Sequence, residues 1–308
     1  MMTPTYIRLL MGKRAMRWFC AFVLWAIAGT AQAGFPVRIT DGEGRTVELA
    51  KQPQRIVVLG PALYAYMLVD LGAASRVVGI TQSTDNPVEV QSALLLGQPL
   101  APDLERIVKL QPDLVLGGTE SVHKQLAALS IVAYAGGRSG AGMQGSQDVF
   151  ALLRTVGQLV DGDTRSAERL IEQTRAEMAA IESKLHGSSR SRSRVAVLYA
   201  GPRGNLFAAG AETPEDELVE RCAAKNVFGH LRHHKPVSAE ELLRQQPDVI
   251  LIDQNQLPLL TAQAVLQSVP AVRSRRVFGI NAAVHGSSRL GLALRSYAQR
   301  IHPSAFPP

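Results

Sequence analysis

Tryptophan occurs in this 308-residue chain only at Trp18 and Trp25, and cysteine only at Cys20 and Cys222. Once the leader described below is removed, Cys222 stands alone. An internal disulfide is then excluded, and burial of apolar surface has to hold the fold. Neither a Gly-x-Ser-x-Gly elbow nor a Walker loop occurs, which removes the usual signatures of an α/β hydrolase and a P-loop NTPase. The glycine-rich run Gly136 to Gly142 follows a strand-like segment but brings no phosphate-binding lysine, so it reads as a loop. The apolar run Trp18 to Ala28 is too short to span a bilayer comfortably. A Leu-x-x-Cys lipid-attachment pattern is also missing, because Cys20 follows Arg17, Trp18 and Phe19.

The formal charge is +7, from 33 basic and 26 acidic side chains. Four of the basic residues, Arg8, Lys13, Arg14 and Arg17, precede the apolar run, and Ala31-Gln32-Ala33 follows it. A basic segment, a short apolar core and an A-x-A site make a signal peptide over residues 1–33. The remaining chain carries 29 basic and 26 acidic side chains. That balance calls for no nucleic-acid partner. The expected location is the periplasm.

Residues 34–145 alternate short apolar strands with helical patterns. The strands are Arg55 to Leu59, Val77 to Ile80, Leu114 to Leu116 and Ile131 to Tyr134, preceded by a hairpin from Val37 to Leu49. Fully apolar strands between helices predict a mainly parallel sheet covered on both faces. Residues 188–308 repeat the alternation, with strands at Val195 to Tyr199, Ile250 to Ile252 and Val277 to Ile280 and a closing helix from Ser288 to Ile301. Between these segments, 146–187 is read as a linker whose main element is one long amphipathic helix, Asp163 to His186. Its apolar side is Ala167, Leu170, Ile171, Thr174, Met178, Ile181 and Leu185. At 1.5 Å per residue that rod is about 36 Å long. The fold class expected is α/β: two Rossmann-like lobes with mainly parallel sheets, joined by a single long backbone helix.

An internal repeat supports the two lobes. Asp103-Leu-Glu-Arg-Ile-Val-Lys-Leu-Gln-Pro-Asp-Leu-Val-Leu116 matches Ser238-Ala-Glu-Glu-Leu-Leu-Arg-Gln-Gln-Pro-Asp-Val-Ile-Leu251, at a constant offset of 135. Each copy starts on a helix cap, places an acid in the first turn and breaks at Gln-Pro-Asp before an apolar strand.

Arg55-Ile-Val-Val-Leu-Gly60, the first copy of the repeat, Lys225-Asn-Val-Phe228, and Val269-Pro-Ala-Val-Arg273 with Arg276-Val-Phe278 occur in that order. The set covers essentially the whole chain beyond the leader. It resembles the periplasmic binding proteins of iron-siderophore, haem and cobalamin ABC importers. The resemblance implies a non-catalytic carrier with two lobes on a backbone helix. Such a carrier takes a ferric siderophore or similar anionic iron chelate in the cleft and delivers it to an inner-membrane ABC permease dimer. Haem or cobalamin is the alternative cargo, and a hydrolase the rival class. A monomer without cofactor or metal of its own is expected.

The resemblance also assigns roles. Glu105 and Glu240 occupy matching places in the repeat, where relatives dock acids onto permease arginines; by spacing alone both are first-turn glutamates complementing a helix dipole. Ligand-binding candidates are Tyr64, Gln98, Arg138, Arg203, His233, His234, Lys235, His285 and Arg289, which fall at strand ends or in segments leading into the repeated helices. Taken singly, each charged member is a solvated surface group. As a set they predict a basic cleft suited to carboxylate or catecholate oxygens. Haem-binding relatives supply a tyrosine after the second strand, but Thr81 to Pro87 holds none, leaving Tyr64 or His234 as substitutes. Cobalamin-binding relatives line the cleft with tryptophan, and Pro99, Gly118 and His234 stand at the matching positions. Adjacent histidines such as His233 and His234 rarely ligate one ion together, so the pair alone is no zinc site.

Overall fold

The computed structural model describes residues 34–60, 62–136, 142–185, 192–200, 205–261 and 264–306. The leader 1–33 lies outside them, as do Arg138 and Arg203. The first described element is the hairpin of β1 (Val37–Thr40) and β2 (Thr46–Leu49). Asp41 closes its turn by accepting the backbone N–H groups of Glu43 and Arg45 on Oδ1.

The next strands are β3 (Ile56–Leu59), β4 (Val77–Ile80), β5 (Leu94–Leu95), the small hairpin β6 (Gly97–Gln98) and β7 (Ala101–Pro102), β8 (Leu114–Gly117) and β9 (Ala133–Tyr134). Five of them form one sheet in the order β5-β4-β3-β8-β9. All its pairs are parallel. Side chains alternate across a strand, and both faces are used. Ile56, Val58, Leu114 and Leu116 pack under helices Leu63–Asp70 and Ser146–Asp161. Val57, Leu59 and Val115 pack on Ile107, Val122 and Leu126 of the two helices on the other side. This double burial is why the strands carry no polar alternation. Gly117 ends β8 at φ +79°, where an added Cβ would lie 2.0 Å from the Leu59 carbonyl oxygen. Only glycine lets β3 and β8 end side by side at that point.

The second sheet holds β10 (Arg194–Ala200), β11 (Leu206–Ala209), β12 (Lys225–Asn226), β13 (His234–Val237), β14 (Val249–Asp253) and β15 (Val277–Ile280). Its order is β13-β11-β10-β14-β15, with β12 beside β10. The pairs of β10, β12, β14 and β15 are parallel, whereas β11 and β13 run antiparallel. Those antiparallel strands were not anticipated. They place His234 beside Ala209, where β11 ends.

The repeat holds at atomic level. Asp103 Oδ1 accepts Arg106 N–H at 3.0 Å, and Ser238 Oγ accepts Glu241 N–H at 3.0 Å. Gln111 and Gln246 both turn left-handed after their helices, at φ 46° and 45°. Asp113 Oδ2 then accepts Arg55 N–H at 2.9 Å, and Asp248 Oδ2 accepts Arg194 N–H at 2.8 Å. The offset of 135 is thus one device used twice to tie a helix end to the start of a neighbouring strand.

The long helix spans Arg165–Leu185. Ala167 and Ile171 belong to the core of the first sheet, and Met178, Ile181 and Leu185 to that of the second. The preceding segment is more than a linker. Ser146–Asp161 is a 16-residue helix whose Val149, Phe150, Leu153, Val156 and Val160 are buried in the first core. Gly157 lets the two helices approach, since a Cβ there would meet Ala167 Cβ at 3.0 Å.

Candidate functional site: the cleft between the sheets

The carboxyl ends of both sheets border a cavity of about 510 Å³. From the first sheet come Ala62 and Leu63 beyond β3, and Ser83 and Asp85 beyond β4. From the second come Glu212 to Glu215, His233, His234, Ala282, Ala283, His285 and Gly286. Met143 adds an apolar wall. A second cavity of about 700 Å³ adjoins it through Leu63, Gly142 and Met143 and reaches Tyr64, Tyr134 and Asp148.

The lobes are held together around this space. Arg289 Nη2 donates to Asp70 Oδ1 at 2.9 Å, and Ser288 Oγ donates to Asp70 Oδ2 at 2.6 Å. Asn281 Nδ2 donates to Tyr66 Oη at 3.1 Å. Glu217, on the helix Pro214–Arg221, caps the Ser146–Asp161 helix across the junction. It accepts Ser146 N–H at 2.6 Å and Ser146 Oγ–H at 2.7 Å. At the far lip Asn255 Nδ2 donates to Asp85 Oδ1 at 3.4 Å. Burial, then the nearby Asp253 charge, raises the Asp85 carboxyl above its ordinary value.

At the floor is Glu215, 5% exposed. Thr213 caps its helix, with Pro214 at the first position, so Glu215 lies in the first turn. There the helix dipole favours a negative charge. Tyr199 Oη donates to Glu215 Oε1 at 2.5 Å. His285 Nδ1 lies 3.4 Å and His234 Nε2 3.6 Å from the same oxygen. Burial acts to raise the Glu215 carboxyl, but hydrogen bonding and charge from His234 and His285 outweigh it and hold it well below the usual carboxylate range. Hydrogen bonding to Glu215 in turn raises the His234 imidazole above its ordinary value. Burial, reinforced by the Glu215 charge, keeps Tyr199 protonated far above its usual range.

The sequence candidates divide. His233, His234 and His285 meet in the cleft. His285 is 2% exposed. His233, at φ 60°, has Nε2 3.7 Å from Glu212 Oε2. Tyr64 is buried in the first lobe, where its hydroxyl accepts Gly136 N–H at 2.9 Å and faces the second cavity. Gln98 is exposed and donates to Gln82 at 3.1 Å. Lys235 is exposed on β13 and stands outside the cleft lining. Arg289 does not extend into the cavity, because Asp70 and the Tyr66 ring, 4.7 Å away, occupy its guanidinium. Arg138 and Arg203 lie outside the described residues. Among the described lining residues there is no lysine or arginine. Glu105 and Glu240 are exposed in the first turns of the helices Leu104–Lys109 and Ala239–Gln245.

Sequence reasoning missed Glu215, Tyr199, Asp85 and Glu212. A signal existed for Glu215. It shares its helix face with Leu218, Val219 and Cys222, so a carboxylate occupies an apolar stripe.

The sequence profile of the periplasmic binding protein family matches residues 56–284. An uncharacterized ABC transporter substrate-binding lipoprotein of Bacillus subtilis, YvrC, is 24% identical over 281 residues, covering 88% of this chain and 87% of its own length. A cobalamin-binding protein of Halobacterium salinarum is 25% identical over 264 residues, covering 80% of this chain and 68% of its own. A periplasmic haem-binding protein of Pseudomonas aeruginosa superimposes with a TM-score of 0.73 at 22% identity, covering 83% of this chain and 95% of its own. That last likeness is one of fold.

Proposed function

This chain belongs to the periplasmic binding protein family, and on that premise we propose that it is the cargo carrier of an ABC importer. It takes a metal-centred small molecule into the cleft and hands it to a membrane permease. The leader would export it to the periplasm, and Glu105 and Glu240 would dock the two lobes on the permease.

The observation carrying this reading is the cleft: about 510 Å³ between the carboxyl ends of two sheets, with imidazoles and carboxylates as its charged and titratable lining. Such groups suit a metal centre or a neutral or cationic shell. An anionic ferric chelate would instead be matched by arginine or lysine. Lys235 and Arg289 stand elsewhere. Among the described lining residues this arrangement suits cargo of neutral or positive overall charge. A corrinoid edged by amides fits that description, in keeping with the name of the halobacterial relative.

Residues 34–308 contain no tryptophan, so tyrosine fluorescence is read without a tryptophan background. Titration with cobalamin, haemin, ferric citrate and a ferric catecholate is expected to give saturable one-to-one quenching by one class, with the cargo recovered unchanged. No saturable binding by any of the four, or recovery of a hydrolysed cargo, overturns the reading.

A further inference from the structure

We infer that Glu212 and His233 form a clamp for an NH₂ donor on the edge of the cargo, the group a primary carboxamide presents. The inference rests on reading the cavity as the cargo site and names what one of its walls recognises.

The backbone singles out this pair. Among the described residues, seven other than glycine have positive φ. Five of them, Gln111, Ser130, Ala223, Gln246 and Arg275, close helices at their carboxyl ends, where a left-handed residue satisfies the last carbonyls. The other two are Glu212 at φ 59° and His233 at φ 60°. Neither follows a helix, and both line the cavity. A side chain is disfavoured in that conformation, and such strain gathers at ligand clamps. The surroundings enforce it. Gly210 N–H donates to the His233 carbonyl at 3.0 Å, Ala211 N–H to the Leu231 carbonyl at 2.7 Å, and His233 N–H to the Ala211 carbonyl at 2.8 Å. A Cβ on Gly210 would lie 2.4 Å from the Leu231 carbonyl oxygen, so glycine lets the two segments lie face to face.

Charge is already answered here. Arg232 Nη2 donates to Glu212 Oε1 at 2.5 Å. What remains is hydrogen-bonding capacity. Glu212 Oε2 is buried without a hydrogen-bond partner. His233 Nδ1 lies 3.4 Å from the Glu212 carbonyl oxygen, which can only accept, and this assigns the ring proton to Nδ1. Nε2 then presents a lone pair, 3.7 Å from Glu212 Oε2 and beyond hydrogen-bond reach.

Two acceptors that face each other unbonded are matched by a donor with two N–H groups. A primary carboxamide offers both from one nitrogen, whereas a carboxylate offers none and is repelled. The side chains of His233 and Glu212 are 40% and 34% exposed, which leaves them room to part and admit the group from the cavity.

The test compares cobalamin, cobalamin whose peripheral amides have been hydrolysed to carboxylates, and haemin, which carries no amide. The parent is expected to bind intact cobalamin about tenfold or more tightly than the hydrolysed form. Glu212→Ala and His233→Ala should each erase that preference, and Glu212→Gln, which keeps an acceptor oxygen, should retain part of it. Thermal melts check the strain. Glu212→Gly and His233→Gly should melt above the corresponding alanine variants, because glycine alone is at ease at these φ values. Ala223→Gly, at a helix end, should raise the melting temperature and leave cobalamin affinity at the parent value.

Equal affinity for intact and hydrolysed cobalamin, or an undiminished preference in both alanine variants, overturns the inference. So do alanine variants that melt at or above their glycine counterparts. If haemin or a ferric chelate binds and no corrinoid does, the inference falls and the carrier reading stands. If none of these molecules binds saturably, the carrier reading falls and takes the inference with it.

Discussion

Arg289 and Asp70, 219 positions apart, clasp the two lobes: the guanidinium donates from Nη2 at 2.9 Å and from Nε at 3.2 Å to the carboxylate. The pair is largely shielded, with side-chain exposures of 26% and 19%. Together with Glu217 on Ser146, it holds the cleft walls at a set separation. Arg289→Leu is expected to destabilise by about 2 kcal/mol, as for loss of charge-assisted bonds. Arg289→Lys should lose part of that, because an ammonium cannot fork. Urea denaturation measures both. Equal stability in the leucine variant and the parent would show that the clasp is incidental.

The repeated aspartates make a paired prediction. Asp113 accepts the backbone N–H groups of Gln54 and Arg55, and Asp248 that of Arg194. Replacement of either by alanine should cost about 1–2 kcal/mol, and asparagine should cost less because its oxygen still accepts. The two losses should add, since the sites serve separate cores. A neutral alanine at either position would break the equivalence drawn from the repeat.

The docking proposal concerns Glu105 and Glu240, both exposed. The double variant Glu105→Lys/Glu240→Lys is expected to abolish uptake in cells while cargo affinity in solution stays at the parent value. Normal uptake would refute the role. Reduced affinity would point to a fold defect.

His234 carries a pH signature. Its folded pKa lies above the ordinary histidine value, first because of hydrogen bonding to Glu215. The stabilisation it adds is therefore complete below the ordinary histidine pKa and is lost as pH rises through the raised one. Glu215 has the opposite sign: its contribution is present above the ordinary carboxylate pKa and is lost as pH falls through the lowered one. The gap in melting temperature between the parent and His234→Gln should thus be widest in mild acid and should close toward alkaline pH. A gap that does not vary with pH contradicts the coupling.

How much was legible follows from the range over which each feature is determined. The caps at Asp103 and Ser238, the apolar strands and the 165–185 helix rest on neighbours within one or two turns, and the periodicity displays them. The helix at Ser146–Asp161 shows the same periodicity in Val149, Leu153 and Val156 within the segment read as linker. The site was read only in part. His234 and His285 line the cleft, whereas the guanidinium of Arg289 is held by Asp70 from the opposite lobe.

By itself the sequence determined a repeated helix–strand unit, parallel sheets buried on both faces and a rod between them, because local propensity and alternation dictate these. Tertiary structure alone decided the character of the cleft. It folded the β11–β13 return so that His234 meets Glu215, sank that carboxylate on an apolar stripe and left one oxygen unpaired. Whether a charge faces cargo, a partner or water depends on residues hundreds of positions away, and no local pattern records that.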